Sequence, residues 1–149
     1  FPYTTLFRSI AKVLDIVKPE LKFKNIQIQL RVDDGLVIKV NSAEIEQVIL
    51  NLLNNAIQAL ANSGTLQRRM AIEAIGDGKS VQLSVSDNGP GVLGDFKSQL
   101  FELLSTTKQT GMGLGLWLCK HIVTRYSGSI HYEDAVGGGA KFVIELPSS

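Results

Sequence analysis

Cysteine occurs once in this chain, histidine twice and proline four times, and charge of either sign barely outweighs the other. Each scarcity excludes something. A lone Cys119 rules out an intramolecular disulfide and fits a buried apolar thiol in a reducing compartment better than a redox device. Fifteen basic against fourteen acidic residues leave a formal charge of +1, so no strong field points to nucleic acid or to an anionic membrane. No apolar run reaches the roughly eighteen residues that a spanning helix needs, and no basic-then-apolar leader is present. The segment is expected to be soluble and cytoplasmic, touching neither nucleic acid nor membrane, although a larger parent protein could be membrane-anchored. The first residue is phenylalanine, not methionine.

What is present describes one globular unit: 149 residues, 44% hydrophobic, with 14 glycines. IAKVLDIVKPELKFKN reads as a short helix stopped near Pro19, with Ile10, Val13, Leu14 and Val17 on one face. NIQIQLRV alternates like a half-buried strand, and after the DDG turn LVIKV suggests its hairpin partner. Between Asn41 and Asn62 the apolar period becomes helical, with Asn41 as N-cap and Glu44 completing a capping-box-like pattern. RRMAIEAI and SVQLSVSD are strands joined by GDGK; LWLCKHIVTRY is a helix, and SIHYEDA and AKFVIEL are strands around GGG. About three helices and five or six strands, segregated rather than alternating, predict an α+β fold with helices on one face of a sheet.

The long helix carries an unusual polar stripe. At roughly 100° per residue, Glu44, Gln47, Asn51, Asn55, Gln58 and Asn62 fall within about 40° of one line. A solvated face would ordinarily hold Lys and Glu, whereas three of these are asparagines, which cost helix stability unless their amides are used. An asparagine carbonyl is a neutral hard oxygen donor, suited to a Mg²⁺ already offsetting phosphate charge. DNGPGV follows a strand directly, where Asp87 can accept from an exocyclic amine and Gly89 and Gly91 allow close backbone approach to a flat ligand. TTKQTGMGLGL then sets hydroxyls, a cation and alternating glycines before a helix, an arrangement suited to anions. It matches neither the GxGxxG fingerprint nor a P-loop.

In order, ILNLLNNAIQAL, DNGPGV, LFELLSTTK and GMGLGLWLCKHIV resemble the N, G1, F and G2 boxes of the sensor histidine kinase catalytic domain. That family belongs to the ATPase group shared with DNA gyrase B, Hsp90 and MutL. The resemblance runs from about Ile10 to Leu146 and lies nearest the nitrogen-regulatory and oxygen-sensing kinases. It implies a two-layer α/β sandwich of the Bergerat type: a mixed, mostly antiparallel sheet of about five strands under three helices, with ATP between the long helix and a lid. It further implies that Asn55 and Asn51 bind Mg²⁺, Asn51 also touching the phosphates. By the same resemblance Asp87 reads the adenine amine above Gly89 and Gly91, and Thr106, Thr107 and Lys108 lie near the terminal phosphate. Gly111, Gly113, Leu114 and Gly115 would wrap the triphosphate. Asn51 stands where hydrolysing relatives carry a glutamate base, so the expected chemistry is γ-phosphoryl transfer to a histidine, with Asn51 and Lys108 as the catalytic pair. The chain departs from the family at Leu103-Leu104-Ser105, at Gln58 and Ala59, and at Ala140.

Neither His121 nor His131 has the acidic neighbour and later proline of the family's acceptor helix. The resemblance therefore implies a separate upstream dimerisation and phosphoacceptor domain, a homodimeric full-length protein and a response regulator downstream. FPYTTLFRS is what TTT CCC TAC ACG ACG CTC TTC CGA TCT would encode, the end of a common sequencing adapter. Residues 1–9 are accordingly expected to be an assembly artefact and residues 10–149 the catalytic domain. Two other readings share the boxes: an anti-sigma-type protein serine kinase and a nucleotide-binding regulatory module without transfer activity.

Overall fold

The computed structural model of the chain describes residues 3–102 and 112–148, leaving out the side chains at 112–114. In chain order the elements are β1 (Thr4–Thr5), α1 (Leu6–Phe23), β2 (Ile26–Val32), β3 (Val37–Ile38), α2 (Ser42–Ala61) and β4 (Arg68–Gly76). They continue with β5 (Ser80–Asp87), α3 (Gly94–Lys97), α4 (Met112–Arg125), β6 (Ser129–Asp134) and β7 (Ala140–Pro147). Five strands form one mixed sheet in the order β2-β4-β5-β7-β6, in which only β2 and β4 run parallel. The long helices α1, α2 and α4 lie side by side on one face, with α2 central and packed on β5. This is the α+β sandwich that the element pattern predicts.

Period-two alternation decides what each strand contributes to the core. Met70, Ile72 and Ala74 on β4, Val81, Leu83 and Val85 on β5, and Phe142, Ile144 and Leu146 on β7 are all buried. From the helices come Ile45, Val48, Ile49, Leu52, Leu53, Ile57 and Leu60 of α2, closed from either side by Val13 and Val17 of α1 and Leu116 and Cys119 of α4. Asn41 caps α2 as expected, its Oδ1 accepting from the amides of Ala43 at 2.9 Å and Glu44 at 3.3 Å. Burial pushes the Cys119 thiol up to about 12, so it stays protonated and serves as packing.

Two expectations fail. Helix α1 does not stop near Pro19 but runs through it to Phe23. The carbonyl that a proline leaves unbonded belongs to Asp15, which is exposed, and burial of Leu21 beyond the proline holds the last turn on the sheet. The second is the hairpin: β2 does not pair with β3. It pairs in parallel with β4, Ile26 opposite Arg68, because the intervening α2 forms a crossover connection that returns the chain alongside β2. Strand β3 instead pairs with β1, Thr4 opposite Ile38.

Whatever codons encode it, the stretch before Ile10 is packed. Leu6 and Ser9 are buried in the first turns of α1, and Thr4 Oγ1 donates to the carbonyl of Val40. Leu6→Ala should therefore cost about 2–5 kcal/mol in a denaturant titration, as for a fully buried leucine elsewhere in a core. A loss under about 0.5 kcal/mol, the level of a surface substitution, would show that this turn makes no stabilising contacts. Native Cys119 should not react with a thiol reagent at mildly alkaline pH and should react at once on unfolding.

Candidate functional site

The inward series of β5 ends on a carboxylate. Val81, Leu83, Val85 and Asp87 share one face, so the alternation that buries three apolar residues also buries Asp87 beneath α2. One turn of the polar stripe lies over it: Asn55, 7% exposed, is the buried polar residue of α2. Asn55 and Asp87 line a single cavity of about 300 Å³, together with Gln58, Ala59 and Asn62 of α2. Pro90, Gly91, Val92, Leu93, Phe96 and Leu100 come from the loop after β5, and Ala140 and Phe142 from β7. The lining is mostly apolar, with two polar groups converging from opposite layers, the usual composition of a small-molecule site.

Both polar groups are held at a cost. Burial pushes the Asp87 carboxyl above its ordinary value of 3.8, opposed by hydrogen bonds from backbone amides, that of Gly89 donating to Oδ1 at 2.9 Å. Asn55 Nδ2 is buried with no hydrogen-bond partner, alone in this among the described residues. An amide left orphaned by the rest of the chain fits a group that engages it on binding. The backbone is fitted as tightly: Gly139 has φ of +97°, and a Cβ there would stand 1.9 Å from the Asp87 carbonyl oxygen.

The expected site residues separate into three sets. Asn55, Asp87 and Gly91 meet in the cavity. Gly89 does not line it; its amide is spent on Asp87, and a Cβ at Gly89 would lie 3.0 Å from Asp87 Oδ1. Asn51 stands one turn away from the cavity, accepting from Gln47 Nε2 at 3.1 Å and donating to the Gly115 carbonyl at 3.5 Å, which ties the long helix to the first turn of α4. Gly113 and Leu114 also fall in that turn. Thr106, Thr107, Lys108 and Gly111, and the departure at Leu103-Leu104-Ser105, lie outside the described residues. Glu44 heads the stripe but serves elsewhere, ion-paired with Arg125 and hydrogen-bonded by the Tyr126 hydroxyl at the end of α4. Sequence reasoning passed over Val92, Leu93, Phe96, Leu100 and Phe142. An apolar residue that lines a cavity carries no signal distinguishing it from one in the core; Ala59 and Ala140 stand out in the sequence only as departures from the family's motifs.

This geometry coincides with a known family. The profile of the histidine kinase-, DNA gyrase B- and HSP90-like ATPases matches residues 40–149, and the chain belongs to that family. Within it, the chain is an ATP-binding catalytic domain of the sensor histidine kinase kind. It is 42% identical to the C4-dicarboxylate transport sensor protein DctB of Rhizobium meliloti (strain 1021) over 76% of this chain and 18% of that protein. It is 34% identical to sporulation kinase D of Bacillus subtilis (strain 168) over 94% of this chain and 27% of that protein. The chain thus spans well under a third of these relatives' length. The solved catalytic domain of histidine kinase ThkA superposes with a TM-score of 0.86 at 28% identity, covering 99% of this chain and 98% of that one. No helix among the described residues is long and apolar enough to cross a membrane.

The raised Asp87 carboxyl makes stability depend on pH in a definite direction. The folded chain holds this proton more tightly than the unfolded chain, so the contribution is full below pH 3.8 and is lost as pH rises through the raised folded value. Asp87→Asn, which cannot ionise, should raise the denaturant midpoint of the ligand-free protein near neutral pH. The advantage should shrink steadily as the pH is lowered.

Proposed function

We propose that this domain transfers the γ-phosphoryl group of Mg²⁺-bound ATP to a histidine on a separate dimerisation and phosphoacceptor domain of the same protein. In this reading residues 10–149 are the catalytic domain, the full-length protein is a homodimer, and the phosphohistidine passes its phosphoryl group to a response regulator. One observation carries the site: Asp87 of the sheet and the unpartnered amide of Asn55 on the helix above are both buried and line one mostly apolar cavity. A carboxylate in such a place discriminates strongly, because a base lacking a donor would leave it unpaired in low dielectric. The adenine amine meets that need, with the ring between Ala59, Val92 and Phe142.

The donor set fits a hard cation that arrives with its nucleotide. Among the described residues no group of three or more His, Cys, Asp or Glu could hold a metal alone, whereas the asparagine oxygens of Asn55 and Asn51 can complete a shell made mainly by phosphates and water. Bound there, Mg²⁺ would offset the charge of the triphosphate. Asn51 cannot abstract a proton from water near neutral pH, which disfavours hydrolysis and leaves the phosphoryl group for an incoming nucleophile. The imidazole nitrogen forms an N–P bond as the bond from the γ-phosphorus to the bridging oxygen breaks, and ADP leaves. Thr106, Thr107 and Lys108 are assigned to the terminal phosphate, Lys108 countering its developing charge, and Gly111, Gly113, Leu114 and Gly115 to the phosphate chain. ThkA, whose catalytic domain superposes on this chain, has been solved in complex with the response regulator protein TrrA, which supports a partner of that class.

Incubation with Mg²⁺, radiolabelled ATP and a separately expressed acceptor domain of a similar sensor kinase tests the proposal. Acid-labile, base-stable phosphate should appear on the acceptor. Asn55→Ala and Asp87→Asn should each lower transfer at least about tenfold, the loss of one hydrogen bond to a charged group. ATP binding without transfer to any acceptor histidine would overturn the reading.

A further inference from the structure

The loop from Gly89 to Glu102 supplies most of the cavity's apolar lining, yet its own backbone bonds are local. Phe96, Gln99 and Glu102 each donate to the carbonyl three residues back. Among the described residues only two polar ties leave this loop for distant parts of the chain, and they end on the same edge strand. The Val92 amide donates to the Tyr132 hydroxyl at 3.1 Å, and Lys97 Nζ reaches Asp134 Oδ2 at 2.9 Å. Tyr132 joins the two by donating to Asp134 Oδ1 at 2.9 Å. The Lys97 ammonium also lies 5.5 Å from the centroid of the Tyr132 ring. That ring in turn meets Phe142, a lining residue, edge-on at 5.4 Å between centroids.

Alternation on β6 explains how one strand does this. Ile130, Tyr132 and Asp134 point to the helix side, while His131 and Glu133 pair with each other at 2.7 Å on the opposite face. Being the edge strand, β6 has no further strand on its outer side among the described residues, and its Tyr132 side chain reaches past Phe142 to the loop that passes above. The Tyr132 hydroxyl also sits 3.5 Å from where a Cβ on Gly91 would be, so the hydroxyl meets the loop on either side of the Gly91–Val92 peptide.

We propose that Tyr132 is a positioning residue for nucleotide binding. Its hydroxyl, with Asp134 and Lys97, pins the loop so that Gly91, Val92 and Phe96 stand as a preformed wall of the base cavity. The proposal rests on ATP occupying that cavity. Holding the wall in place before binding spares the nucleotide the ordering of a loop that has little long-range hydrogen bonding of its own. Burial and the neighbouring Asp134 raise the Tyr132 hydroxyl above its ordinary range, which keeps it a donor.

Tyr132→Phe keeps the ring against Phe142 and removes only the hydroxyl, so calorimetric titration of the whole chain with Mg²⁺ and a non-hydrolysable ATP analogue isolates the tie. Affinity should fall about 3- to 10-fold, as for one neutral hydrogen bond, with the melting temperature of the ligand-free protein little changed. Hydrogen exchange at the Val92 amide should quicken, and with an acceptor domain KM for ATP should rise while kcat holds. Asp134→Asn, which leaves the ring and hydroxyl in place, should weaken binding in the same direction by less, and adding it to Tyr132→Phe should cost less than the sum of the two. Tyr132→Phe with unaltered affinity and unaltered Val92 exchange would overturn the proposal while wild-type binding upheld the site. A wild-type chain that failed to bind the analogue would overturn both.

Discussion

A carboxylate buried where the strand pattern calls for an apolar residue is the constraint on which the rest of this structure turns. Asp87 completes the inward series of β5, and burial works against its charge. Backbone hydrogen bonds answer part of that cost locally: the Gly89 amide bonds its Oδ1, and the backbone at Ala140 also opposes the effect of burial. The orphaned amide of Asn55 completes a pair of buried polar groups that the fold holds at a cost. A ligand that engaged both would recover what the fold gives up, so that binding energy and specificity would come from one arrangement.

The apolar mass that offsets this penalty is the three-helix layer on the sheet, and α2 organises it. Its buried side holds the core together, while its polar stripe divides its work along the axis. At the start Glu44 is tied to Arg125 and Tyr126, in the middle Asn51 meets Gly115, and towards the end Asn55, Gln58 and Asn62 line the cavity. The stripe is therefore two joints and one site. Both joints lead to α4, so the helix that follows the glycine-rich segment is registered against the same element that carries Asn55. Tyr132 does a comparable service from the other side, fastening the loop after β5 to the edge of the sheet.

Much of this was legible in the residues. The capped helix from Asn41 to Asn62, the β4–β5 hairpin and the position of Asp87 at a strand end all followed from period and turn chemistry, because each is a local property. Pro19 misled for a physical reason: a proline inside a helix costs one hydrogen bond, and tertiary burial of Leu21 outweighed it. The β2–β3 hairpin misled because alternation names a strand without naming its partner, and the partner of β2 arrives only after α2.

The amino-acid sequence by itself determined which residues can share a face and so which are candidates for the chemistry. Asparagines on one helical line, an aspartate closing an alternating strand and glycines ahead of a helix are periodicities that the backbone turns into shared faces without reference to anything distant. Tertiary structure alone decided which of them meet. Asn55 and Asp87 share a cavity while Asn51 turns to the Gly115 carbonyl and the Gly89 amide to the Asp87 carboxylate, and Val92 and Phe142 join the lining with Tyr132 bonded behind Val92. Packing α2 over β5, with β6 as the free edge of the sheet, sets those distances between residues as much as 87 positions apart in the chain, from Asn55 to Phe142.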